Sequence, residues 1–383
     1  MYKGKQAQSV GTDADNELLK IWVARYLPDL GAISSQVRPH IEQRLRRTIL
    51  DEARQATAHK MRACLASDWG LAAAETQALL LAAGVSIDSW DLQNLSIHIH
   101  KVYETLIDGY EHSFIFSPIL ERLYDIESET GRLEAAALVI PKFETLMLTL
   151  GPMLHELKAL YFSSINRHLV GFMTTHIHFT QRLILSHLSI DERLWLEPYL
   201  QLLDELACMP WQRICSMASV ATHHPDLVAL VKRMLPKMGA ISLLTYQKAL
   251  QAYPHHISYQ GRLHSTAVQR SSMRDLNMFQ TYIWLCFLED DLSAIEKKLL
   301  PICVQSFSLT NVKWELVNFA IATLIEGIQQ QLTPAENYLF AAHSDAIQTL
   351  FINVSPATNQ GYLVKQQLQG AKRLTNVSYT WRP

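Results

Sequence analysis

SMRDLNMFQTYIWLCFLEDDLSAIEKKLL, residues 272–300, is the stretch whose reading decides the fold. Its first part is one long apolar segment: Leu276, Phe279, Ile283, Leu285, Phe287 and Leu288 fall at spacings that cover most faces of a helix. A helix apolar nearly all round belongs deep in a core. Asp290-Asp291 then makes a short acidic break, and a second helix follows. Ser293 is placed to cap it, with Glu296 three residues on to complete a capping box. Carried forward to the next apolar segments, the pattern predicts that Leu276, Phe279, Ile283, Phe287, Ile295, Leu299, Trp314 and Leu324 bury together.

The rest of the chain agrees with a helical reading. Hydrophobic residues make up 49% of the 383 and charged residues 18%, while Gly and Pro stand at only 14 each. β-hairpin signals are nearly absent, and Leu, Ala, Glu, Gln and Arg dominate long stretches, so the fold class is all-α. A formal net charge of −2 gives no global electrostatic argument for nucleic acid. The five cysteines have no Cys-x-x-Cys spacing and read as free buried thiols. No apolar core follows the first lysines as in a signal peptide, and no apolar run reaches about 18 residues, so no transmembrane segment is expected. No nucleophile–base dyad, phosphate-cradling glycine loop or zinc spacing stands out, so neither an enzyme nor a set of metal ligands is expected.

Taken in order, residues 1–15 are polar and read as mobile, and Asp15 or Asn16 opens a helix that stops near Pro28. Further helices are predicted over 39–67, 75–83, 88–116, 119–129 and 133–150. His100, Glu104, Asp108 and His112 follow one another at i,i+4, but the row spans three turns, too long for one ion, and reads as a solvated or interface stripe. His155, His168, His176, His178 and His187 crowd the helical region 155–188. His176 and His178 point to different faces of a helix and make a poor chelate. Residues 355–383 carry Lys365, Lys372, Arg373 and Arg382 with no acidic residue, a basic, flexible tail or a docking segment.

The order Arg274-Asp275-Leu276, Asp291, Ile295-Glu296 resembles the chromophore helix of the phycobiliproteins, most of all the allophycocyanin type. The likeness extends over about residues 165–354: the helix 312–330, the last helix opened by Leu332-Thr333-Pro334-Ala335-Glu336, and the junction Leu188-Ser189-Ile190-Asp191-Glu192 all have counterparts. It implies a globin-like domain at 165–354, preceded by a second helical domain at 1–164 and followed by the tail. In that family a cysteine opening this helix carries a linear tetrapyrrole, a carboxylate accepts from its pyrrole nitrogens, and an arginine reaches a propionate. The matching positions here are Ser272, Asp275 and Arg274. A serine hydroxyl cannot replace the thiolate, so a covalent bilin is not expected. A globin-type haem is not expected either, because residues 293–307 contain no histidine. The loop after Tyr253, PHHISYQGRLHSTAVQRS, occupies the connection that borders the pigment in the family.

The resemblance therefore implies first a non-pigmented, phycobilisome-associated protein of cyanobacterial type. It would act by contact with phycobilisome or other photosynthetic proteins, in the cytoplasm or at the cytoplasmic face of the thylakoid. The alternative is a carrier or sensor that binds a bilin non-covalently. A signalling module that kept the fold alone is a third expectation. Where family chains carry polar subunit contacts, this sequence has Met278, Phe279 and Thr281, which points to a monomer or homodimer rather than a ring.

Overall fold

The computed structural model describes residues 13–26, 43–44, 47–48, 50–82, 88–112, 144–158, 168–220 and 225–354. The helix predicted at 119–129, the helix predicted over 133–150 up to residue 143, the helix predicted over 39–67 up to residue 42, and the basic tail from 355 lie outside the described residues. What is described is helical, with one hairpin of two-residue strands. In chain order the helices are α1 (Asp13–Ala24), α2 (Asp51–Ala82), α3 (Ser89–Glu111), α4 (144–158), α5 (His168–Ser186), α6 (Ile190–Cys208) and α7 (Trp211–Val220). They continue as α8 (Pro225–Met234), α9 (Met238–Ala252), α10 (Thr266–Glu289), α11 (Leu300–Leu309), α12 (Trp314–Gln329) and α13 (Pro334–Asn353). Strands β1 (Ile257–Ser258) and β2 (Gly261–Arg262) pair between α9 and α10. Among the described residues no helix is long and apolar enough to cross a membrane.

Helix ends follow local chemistry. Asp88 accepts from the Trp90 amide and starts α3. Ser189 with Glu192, and Thr333 with Glu336, form capping boxes at α6 and α13. Two expected boundaries are corrected. From Asp51 on, the helices expected at 39–67 and 75–83 are one helix, because α2 begins after a bend at Leu50 and runs straight through Asp68-Trp69-Gly70. A mid-helix glycine costs about 1 kcal/mol against alanine, and packing of the neighbouring Trp69 ring on His100 and His176 offsets it. The second correction is at Ser293. It does not cap through its own hydroxyl; Asp291 accepts from the Ser293 amide and hydroxyl instead. Behind that cap, residues Ile295–Leu299 form a π-helical turn that runs into α11.

α2, α3 and α5 pack on one another, with α6 alongside α3 and α5. A second group is built by α9, α10, α12 and α13, in which α10 is central. α11 lies against α5 and α2, and α7 bridges α1 to α10. One cluster of buried apolar side chains extends from Leu18 to Phe351. The eight residues predicted to bury together all belong to it. The boundary expected at 164/165 falls in 159–167, outside the described residues, and the core is continuous on its two sides.

The first helix is fastened by a buried carboxylate. Glu205 Oε2 accepts from Trp22 Nε1 at 2.8 Å, Tyr26 OH at 2.6 Å and Trp211 Nε1 at 2.8 Å, and Arg25 Nη2 lies 3.4 Å from Oε1. The Trp22 and Trp211 rings stack with centroids 5.0 Å apart. The i,i+4 stripe on α3 is also resolved. Arg62 of α2 pairs with Glu104, Asp108 and Glu111, so its acidic members form an interhelical ion-pair network.

Candidate functional site

A cavity of about 790 Å³ lies where the two helix groups meet. α4, α5, α10 and α11 all contribute to its lining, together with the α9–α10 hairpin. Ser272, Arg274 and Asp275, singled out from the sequence, all line it. They are not at the start of their helix as expected. Ser265 caps α10, its Oγ accepting from the Val268 amide, so the Arg-Asp pair sits well inside the helix. Arg274 donates to Asp275 Oδ1 through Nε at 3.1 Å and Nη2 at 2.9 Å, and its Nη1 stands 3.9 Å from Asp204 of α6.

The charge balance of the lining is uneven. Lys158, Arg213, Arg274, Lys297 and Lys298 face it, while Asp275 is the only carboxylate among the described lining residues. Lys297 and Lys298 are delivered by the π-turn, a distortion that recurs at functional sites. Lys158 donates to the Leu206 carbonyl at 2.8 Å, and burial holds its ammonium down to about 8. Burial, reinforced by Arg274, Arg182 and Arg270, pushes His178 down to about 3, so that imidazole is neutral. Just behind the wall, burial pushes the Asp204 carboxyl up to about 6 against the pull of Arg274. Between these groups the lining is apolar, with Leu276, Phe279, Phe307 and Val317 contributing.

The hairpin brings two polar atoms to the cavity without satisfying them. His256 Nε2 and Gln260 Oε1 are buried and have no hydrogen-bond partner. Their position is enforced: Gly261 holds φ at +119°, the Tyr259 amide donates to the Thr310 carbonyl at 2.9 Å, and Asn311 Nδ2 donates to the Ile257 carbonyl at 2.9 Å. Buried polar groups are rarely left unpaired in a folded protein, so such a pair on a cavity wall marks a place for a ligand's polar atoms.

No protein-family model, curated protein or solved structure matches this chain. The site is therefore judged on its own chemistry. A cavity of this volume is the usual size for a drug-sized or cofactor-sized ligand. Apolar walls with excess cationic charge suit an elongated amphipath bearing carboxylates. Arg274, Lys297 and Lys298 present cationic groups to such carboxylates, and Asp275 presents an acceptor. Ser272 brings a hydroxyl and no thiolate to the wall, so no thioether can form there. The loop after Tyr253 and the Arg-Asp pair were visible in the sequence. Lys158, His178, Lys297 and Lys298 were not, because nothing local marks a residue as facing a space that distant helices enclose.

Proposed function

We propose that the chain is a non-enzymatic helical binding protein, globin-like over residues 165–354, that takes an anionic amphipath into the cavity beside Arg274 and Asp275. The ligand class is a linear tetrapyrrole held without a thioether. This reverses the order expected from the sequence, where a purely contact-based role came first. The observation that carries it is the cavity of about 790 Å³ with cation-rich walls and two orphaned polar atoms.

Protein made in a bilin-producing host should purify with a visible absorbance band. Denaturing electrophoresis in the presence of zinc should leave no fluorescent pigment on the chain. Asp275→Ala, or Lys297→Glu with Lys298→Glu, should weaken binding of a bilin by about ten- to a hundredfold, the worth of one or two charge-assisted hydrogen bonds. Colourless protein that also fails to take up added bilin would remove this reading. So would affinity unchanged in both variants.

A contact role within a phycobilisome, at the cytoplasmic face of the thylakoid, is the second reading. Trp90 and Ile97, two turns apart on α3 and 70% and 58% exposed, favour it. Co-purification of antenna subunits from a cyanobacterial lysate, lost in Trp90→Ala with Ile97→Ala, tests it.

A further inference from the structure

We propose that Cys64, Asp68 and His187, none of which lines the cavity, form a binding site for a soft divalent cation, zinc by preference. Cys64 and Asp68 stand one turn apart on α2, and His187 opens the turn between α5 and α6. Cys64 Sγ lies 3.7 Å from Asp68 Oδ2, and His187 Nε2 lies 2.7 Å from the same oxygen. The three donor atoms all fall within 4.8 Å of one another. Tetrahedral ligands bonded to zinc at about 2.0–2.3 Å stand roughly 3.3–3.7 Å apart. The side chains therefore need only sub-ångström to ångström adjustments to close on one ion.

The donor chemistry selects the metal. Sulfur, imidazole nitrogen and one carboxylate oxygen form a borderline-soft set that suits zinc or cobalt and not magnesium or calcium. As sulfur coordinates, the Cys64 thiol proton leaves to solvent, and thiolate plus carboxylate then neutralise the dication beside a neutral imidazole. The thiol is buried at 4% exposure, while the Asp68 and His187 side chains are 25% and 50% exposed. The metal thus has a route in and room for a water as fourth ligand. Ser67 Oγ donates to Asp68 Oδ1 at 2.8 Å, fixing the other carboxylate oxygen as outer-shell partners do at metal sites. Asp68 and His187 are 119 residues apart, so no spacing in the sequence announces the group.

Without a metal, the same residues are an exposed Asp–His pair beside a thiol, and such pairs contribute little to stability. Titration of the chelator-stripped full chain with cobalt(II), followed by zinc(II), separates the two. One equivalent of cobalt should bind per chain, with a thiolate-to-cobalt charge-transfer band in the near ultraviolet that zinc abolishes. Cys64→Ser should remove that band. His187→Gln, at a half-exposed position, should leave the metal-free circular dichroism and melting temperature unchanged. It should weaken cobalt binding about tenfold or more, a loss seen even for outer-shell partners. Absence of stoichiometric cobalt binding, or a charge-transfer band of equal intensity and affinity in both variants, would overturn the site.

Discussion

Phe279 is 3% exposed, and its ring meets Phe307 and Phe351 edge-on at centroid distances of 6.2 and 5.7 Å. Phe279→Ala removes both contacts and leaves a cavity that neighbouring helices cannot fill, so a loss of about 3–5 kcal/mol is expected in chemical denaturation. A loss under about 1 kcal/mol would put this ring at the surface. Burial of Phe279 was legible because apolar spacing is a local signal. Glu192 is the opposite case. Burial alone would raise its carboxyl, but Lys60, Ser189 and Thr57 overcome that and hold it at about 2. Two of those partners lie 132 and 135 residues away, out of reach of any sequence pattern. Its folded-state pKa is below the unfolded value of 4.5, so the stabilisation is fully present above pH 4.5 and is lost as pH falls towards 2. The stability difference between wild type and Glu192→Gln should therefore shrink steadily with acidification; a constant difference would contradict the assignment.

At the scale of elements, α1 depends on one carboxylate. Glu205→Ala leaves two indole N–H groups and a phenol without their acceptor, and each unsatisfied buried donor costs about 1–3 kcal/mol. Amide exchange across residues 13–24 should accelerate far more than exchange in α12; equal protection in the variant would show that α1 is held by apolar packing alone. The Asp291 cap is smaller in effect. Asp291→Ala should lower the thermal unfolding midpoint slightly, by less than Glu205→Ala does. The starts of α3, α6 and α13 were readable because a cap and its amide are neighbours in sequence. Continuity of α2 through Gly70 and the π-turn at Ile295–Leu299 were not, since tertiary packing decides both.

On the scale of the molecule, the middle of α10 is covered by other parts of the same chain. Met278 and Thr281 are buried, Thr281 Oγ1 lies 3.5 Å from Met209 Sδ, and α7 packs over α10 with α1 against it. Light scattering at micromolar concentration should give a monomer or homodimer; a stable trimer or hexamer would contradict this. The cavity is the least legible feature at this scale. Its walls are drawn from α2, from α4 to α7 and from α9 to α12, and such a volume is a remainder of packing that no single segment encodes. The Arg-Asp pair lies among its lining residues, but only the assembled fold shows which others join it there.

The Glu205 clamp also sets an order of events during synthesis. Trp22 and Tyr26 precede their acceptor by 183 and 179 residues. A ribosome adding about 5–20 residues per second delivers that acceptor roughly ten to forty seconds later. For that interval the nascent chain carries Leu18, Leu19, Trp22 and Val23 with no clamp to dock on. α1 therefore finds its place only after α6 has been made, and in the meantime its apolar face is a natural handle for a chaperone.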